Sequence, residues 1–105
     1  MWAIAAARLG AARVVAVERE PLLRPVIERL ARENGVGDRV FVETTDSRRL
    51  RVSRRFDLVI SETVGNEGLE EGIVEIFRDA RRRFLKPRGH LVPEALSLMA
   101  APVRR

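Results

Sequence analysis

Short apolar runs separated by longer amphipathic stretches constrain this chain most. Arg13 to Val17, Val40 to Thr44, Phe56 to Ser61 and His90 to Val92 each read as a short strand. Ala3 to Leu9 reads as an alanine-rich helix that stops at Gly10. Leu22, Leu23, Val26, Ile27, Leu30 and Ala31 recur at helical spacing behind Pro21, and Asn34-Gly35 ends that helix. Leu69, Ile73, Ile76, Phe77, Ala80 and Phe84 mark another helix, terminated by Lys86-Pro87-Arg88-Gly89. Ala95 to Val103 reads as one more strand. Strands alternating with helices predict an α/β fold built on a parallel sheet. The expected core is Val15, Val17, Val26, Ile27, Leu30, Val40, Val42, Leu58, Ile60, Ile73, Ile76 and Phe77. Ligands of such a sheet lie at the carboxyl ends of its strands. Glu18, Asp46, Ser47 and Glu62 stand at those ends.

Composition narrows the class. At 105 residues the chain is one small domain or part of a larger one, and 46% apolar residues suit a globular core. No apolar run is long enough to span a membrane, and no basic region precedes the apolar N-terminus as a secretion signal requires. Cysteine is absent, so there is no disulfide framework and no thiolate metal site; a cytoplasmic location is the default expectation. His90 is the only histidine and by itself makes neither a metal centre nor a catalytic triad. The net charge of +5 comes almost wholly from arginine, Lys86 being the only lysine. Those arginines are mixed with acids except in the cluster from Arg48 to Arg55, which has no interleaved aromatics for base stacking. A nucleic-acid partner is therefore not the favoured reading.

The strand Phe56-Asp57-Leu58-Val59-Ile60-Ser61 runs straight into Glu62, and a second carboxylate, Glu71, returns nine positions later across a glycine-containing loop. Two carboxylates converging on one spot suit a guanidinium, whose planar fork of donors pairs with both. The bland alternative for Glu71 is an acid in the first turn of a helix, beside Glu67 and Glu70. The Ser61-Glu62 opening, Gly65 and the spacing to Glu71 resemble the acidic hairpin of protein arginine methyltransferases. That resemblance implies that Glu62 and Glu71 grip a substrate guanidinium and turn one nitrogen toward the cofactor's methyl group. The chain has Thr63-Val64-Gly65-Asn66 where that family usually has Trp-Met-Gly-Tyr, so the aromatic and thioether walls of the arginine pocket are replaced.

Two further stretches resemble class I S-adenosylmethionine-dependent methyltransferases. Val14-Val15-Ala16-Val17-Glu18, with Ala6, Ala7, Gly10 and Ala11 upstream, looks like their second strand, whose terminal acid binds the cofactor's ribose. Asp46-Ser47 matches the loop after the third strand, where an acid takes the adenine's exocyclic amine; Thr45 stands where the family often has glycine. Without the resemblance, Glu18 reads as a solvated acid near a helix start and Asp46 as a residue making its own turn. Lys86-Pro87-Arg88-Gly89 is similar to the turn before the family's fifth strand.

The resemblance implies a Rossmann-like methyltransferase fold truncated at both ends. It gives a partial S-adenosylmethionine-dependent methyltransferase domain over 1–93, and the start of a following strand or second domain over 94–105. The family's first strand and glycine-rich loop belong immediately before Ala3. If that loop supplies about three hydrogen bonds of roughly 1 kcal/mol each, an isolated core binds S-adenosyl-L-methionine about a hundredfold more weakly. The expected protein is thus an incomplete catalytic core acting on protein arginine, inactive as the 105-residue chain alone. A non-catalytic remnant or interaction module and a basic RNA-associated protein are the competing readings. A protein substrate and self-association through exposed sheet edges are the expected partnerships.

Overall fold

The computed structural model describes residues 1–65 and 72–104. The chain divides into two compact units, Met1–Arg51 and Val52–Arg105. The architecture is α/β throughout, with parallel strand pairs in each unit.

The first unit runs α1 (Trp2–Arg8), β1 (Val14–Glu18), a 3-10 turn (Pro21–Leu23), α2 (Arg24–Glu33) and β2 (Val40–Thr44). Pro21 and Pro25 sit in first turns, where a missing N–H costs nothing because it has no intrahelical partner. The Glu20 side chain caps the 3-10 turn by accepting from the Leu22 N–H. β1 and β2 pair in parallel with Val14 opposite Val40, Ala16 opposite Val42 and Glu18 opposite Thr44. Side chains alternate across a strand. Val40 and Val42 are buried, whereas Phe41 and Glu43 are exposed. The buried face packs Ile4, Ala7, Ala31, Val36 and Val40, with Val14, Ala16, Ile27 and Leu30 partly buried around them. Arg39 Nη1 donates to the Ala7 carbonyl at 2.8 Å, joining the Gly10 N–H that this carbonyl also accepts at 3.2 Å, and so ties the loop before β2 to the end of α1.

The second unit runs β3 (Phe56–Ile60), α3 (Ile73–Arg83) and β4 (Leu85–Val92). Gly72 precedes α3 at φ +73°, a left-handed conformation that glycine adopts without steric cost. Ile73, Ala80, Phe84, Leu85 and Leu91 are buried, and α3 packs on β4.

Three features differ from the sequence expectation. Lys86–Gly89 lies inside β4 instead of between a helix and a strand. α3 stops earlier because the ladder takes over: the Phe56 N–H donates to the Phe84 carbonyl at 2.7 Å. Phe56 then faces Leu85 while Leu58 faces His90, so the Lys-Pro-Arg-Gly run bulges out of the register. A Cβ on Gly89 would meet Leu85 Cγ at 2.6 Å and the Asp57 carbonyl oxygen at 3.1 Å, so the bulge closes only around glycine. Residues 94–104 form no strand; Leu96, Leu98, Met99 and Val103 are exposed, and no ladder partner lies beside them among the described residues. Within the expected core, Val17, Val26 and Leu58 are exposed, at 37%, 49% and 43%. Val17 is on the sheet face opposite the core. Val26 lies about 100° round α2 from Ile27, and Leu58 is on β3, whereas α3 covers β4. Leu69 lies outside the described residues.

Candidate functional site

In the first unit, the carboxyl ends of β1 and β2 bring three of the candidate residues together. Glu18 is the last residue of β1 and faces Thr44, the last of β2. The Thr45 N–H donates to the Glu18 carbonyl at 3.0 Å, which extends the ladder to the residue before Asp46. Glu18 Oε1 accepts the Glu20 N–H at 2.9 Å, so the carboxylate is anchored by one oxygen and Oε2 is left for another donor. Asp46 and Ser47 form the turn after β2; the Arg49 and Leu50 N–H groups donate back to their carbonyls.

Asp46 is held by Arg48. Its Oδ1 accepts the Arg48 N–H at 2.9 Å and Nε at 3.0 Å, and its Oδ2 accepts Nη2 at 2.6 Å. These bonds, the side-chain ones above all, push the Asp46 carboxyl well below its ordinary 3.8, and the charge of Arg19 adds to the shift. A carboxylate offers about four acceptor sites, so three bonds from one arginine leave room for a further donor. Because the folded state favours the charged form, the contribution is present above the ordinary carboxylate pKa and is lost only as pH falls through the lowered value. We expect the Asp46 carboxyl resonance to titrate well below its ordinary 3.8, and Arg48→Gln to return it toward that value. A carbon-detected NMR titration checks both.

In the second unit, the loop after β3 presents Glu62. The Ser61 N–H donates to the Val92 carbonyl at 2.9 Å, so the β3–β4 ladder continues one residue past Ile60. Ser61 Oγ and Thr63 Oγ1 lie 2.9 Å apart, and the Thr63 N–H donates to Ser61 Oγ at 3.4 Å. Glu62 is therefore exposed between two neighbours tied to each other. At the opposite end of β3, Asp57 Oδ1 accepts Lys86 Nζ at 2.7 Å, which lowers the Asp57 carboxyl and bridges the base of the bulge. Glu71 lies outside the described residues.

With this geometry in place, likeness to known proteins can be weighed. A probable protein arginine N-methyltransferase 6.2 of Oryza sativa subsp. indica is 34% identical over 94 residues, covering 90% of this chain and 24% of that protein. An arginine N(omega)-methyltransferase of Streptomyces achromogenes subsp. streptozoticus is 35% identical over 102 residues, covering 93% of this chain and 28% of that one. The chain is a homologue of the protein arginine N-methyltransferases. It spans about a quarter of the length of the curated relatives it matches. Among solved structures, the Trypanosoma brucei PRMT1 enzyme-prozyme heterotetrameric complex with AdoHcy superposes with a TM-score of 0.74 at 22% identity. That match covers 82% of this chain and 27% of the other. The fold is thus Rossmann-like, matching part of those methyltransferases. No family model matches the chain.

Two residues escape sequence reasoning, Arg48 in the first unit and Thr63 in the second. Arg48 stands in the arginine cluster from Arg48 to Arg55, but its guanidinium bonds Asp46, and Arg55, in the same run, donates to the Leu85 carbonyl at 3.0 Å. The Asp46-Ser47-Arg48 spacing was the available signal, since a turn aspartate often bonds the N–H two residues on. Thr63 was read only as a departure from the family run. Among the described residues no group of His, Cys, Asp or Glu is placed to hold a metal ion, and no helix is long and apolar enough to cross a membrane.

Proposed function

We propose that this chain carries part of the cofactor- and acceptor-binding core of an S-adenosylmethionine-dependent arginine N-methyltransferase. The observation that carries the reading is the likeness of about nine-tenths of the chain to enzymes named for that reaction; it is supported by an acid at the carboxyl end of β1, the end at which a parallel sheet takes its ligand. The donor set fits such a group. Glu18 Oε2 is available to a ribose hydroxyl, and Asp46 retains acceptor capacity for an exocyclic amine. Bound there, S-adenosylmethionine supplies the methyl group.

The protein's own part is to hold and aim. Glu18 fixes the sugar, and its anchoring to the Glu20 N–H limits the freedom lost on binding. Asp46, like any aspartate, is an ionised acceptor at physiological pH, and Arg48 holds its carboxylate in one orientation. In the second unit, Glu62 is the residue assigned to the acceptor guanidinium, and Glu71 of the same run is its expected partner; the rate then rests on alignment and charge placement. The acceptor is an arginine side chain of a protein, with free arginine as the competing substrate, since one relative is named for arginine itself.

The test is affinity for S-adenosylhomocysteine by calorimetry, in the longest in-frame product that carries this segment. Glu18→Ala is expected to weaken it at least about tenfold, because a charged hydrogen bond contributes roughly 1.5–3 kcal/mol. An unchanged affinity removes Glu18 from the cofactor site. Labelling of arginine-containing peptides against free arginine then separates the two acceptors.

A further inference from the structure

The arginine cluster from Arg48 to Arg55 frames one hydroxyl, that of Ser53, which the methyl-transfer reading leaves unused. Residues 51–55 lie in neither helix nor strand. None of their N–H groups makes a backbone hydrogen bond among the described residues. The flanks are held: the Leu50 N–H donates to the Ser47 carbonyl at 3.2 Å, and the Phe56 N–H to the Phe84 carbonyl at 2.7 Å. A five-residue span fixed at its ends and unladdered between them can be drawn into a groove without breaking a sheet or a helix. Ser53 stands in the middle of it, is exposed, and its hydroxyl has no partner among the described residues. Among the described hydroxyl side chains only Ser53 and Ser97 are exposed.

Charge separates these two serines. Arg48 and Arg55 are engaged, by Asp46 and by the Leu85 carbonyl. The guanidiniums of Arg49, Arg51 and Arg54 are exposed and form no ion pair among the described residues. Arg51 stands two residues before Ser53 and Arg54 directly after it, whereas Ser97 has no arginine within six residues. Ser47 has arginines only on its C-terminal side and is half-buried in the turn after β2. Unpaired guanidiniums on both sides of an accessible hydroxyl are what a carboxylate-lined groove selects, because each can form a charge-assisted, two-pronged bond. We propose that Ser53 is a phosphorylation site for an arginine-directed serine kinase. Ser53 Oγ attacks the γ-phosphorus of ATP and forms the new O–P bond. The bond from that phosphorus to the β–γ bridging oxygen breaks, ADP leaves, and the hydroxyl proton passes to the kinase's base. The product carries about −1.5 to −2 charge at neutral pH. Set among three unpaired guanidiniums, that charge cancels much of the cluster's positive field, so the modification switches the sign of what this segment attracts.

This inference is independent of the methyl-transfer reading. The probe is the catalytic subunit of cyclic-AMP-dependent protein kinase, an arginine-directed serine kinase, with ATP and the folded 105-residue chain. Fragment mass spectrometry locates the phosphate, and a peptide of residues 47–57 is run beside the chain. We expect a single phosphate, at Ser53, on both the chain and the peptide. Ser53→Ala should abolish it. Arg51→Ala should lower kcat/KM at least about tenfold, because a charge-assisted bond to the kinase is lost; circular dichroism checks that the fold survives. Ser97 should stay unmodified, as the serine that is exposed but has no arginine near it. Phosphate on the peptide but not on the chain overturns the proposal, since the fold then withholds the segment. No phosphate on either overturns it as well, as does phosphate at Ser97 or Ser47 in place of Ser53. A Ser53 reaction indifferent to Arg51→Ala also overturns it, since exposure alone would then decide the site.

Discussion

Replacing Glu62 by Gln is expected to lower methyl transfer by about two to three orders of magnitude, while changing S-adenosylhomocysteine affinity by less than about threefold. Gln keeps the size and one acceptor oxygen but removes the charge, so the substitution tests electrostatics and not packing. A hydrogen bond to a charged group contributes about 1.5–3 kcal/mol, and a guanidinium that loses one arm of its clamp also loses alignment. The backbone around Glu62 supports this view. Ser61 is held by the ladder through Val92, and Thr63 is tied back to Ser61, so the carboxylate leaves a constrained turn. Single-turnover assays with a labelled cofactor separate the outcomes. A rate drop with affinity kept assigns Glu62 to the acceptor. A parallel loss of affinity assigns it to the cofactor, and no change in either leaves only the fold in common with the methyltransferases.

How much of this was legible in the sequence depended on whether the determining contacts were local or periodic. The β1 and β2 strands, with Glu18 and Asp46 at or just past their carboxyl ends, follow from short apolar runs whose boundaries are marked by charged and turn residues. α3 was equally plain from the spacing of Ile73, Ile76, Phe77, Ala80 and Phe84. The Lys86–Gly89 run was misread because proline and glycine normally end a ladder, and only the pairing of Phe56 with Leu85 shows that β4 begins before them. Leu96-Ser97-Leu98 alternates as a half-buried strand does, but alternation cannot supply the neighbouring strand that a ladder needs. Arg48 was hidden for a different reason. Its bond to Asp46 depends on the turn geometry after β2, whereas in the sequence it is one of many arginines. Val17 was expected in the core because a parallel strand is usually covered on both faces; here its face of β1 lies opposite the helices of its unit.

The second large effect is structural and concerns how the chain returns from the loop after Glu62. Ile73→Ala should destabilise the second unit by about 2–5 kcal/mol, the usual range for truncating a fully buried aliphatic side chain. Ile73 is 2% exposed and, with Val36, is one of the two largest side chains buried to that extent. It is the first residue of α3, directly after the left-handed Gly72, whose carbonyl accepts the Ile76 N–H at 3.1 Å. The helix start therefore has no side-chain cap, and burial of Ile73 is what fixes where α3 begins. Removing three carbons leaves a cavity next to a turn held by backbone bonds alone. Hydrogen exchange provides the readout: α3 and β4 amides should lose protection by roughly two to three orders of magnitude, while the β2 amides that bond β1 change little. Equal loss in both units would mean that they unfold as one, and no loss would mean that α3 is anchored elsewhere, through Ala80 and Phe84. If Glu71 acts with Glu62, the same variant should also raise KM for the acceptor, because the segment that carries Glu71 ends at the residue before Gly72 and Ile73. Ile73→Val, which removes a single methyl group, should cost only about 0.5–1.5 kcal/mol and restore most of the acceptor affinity.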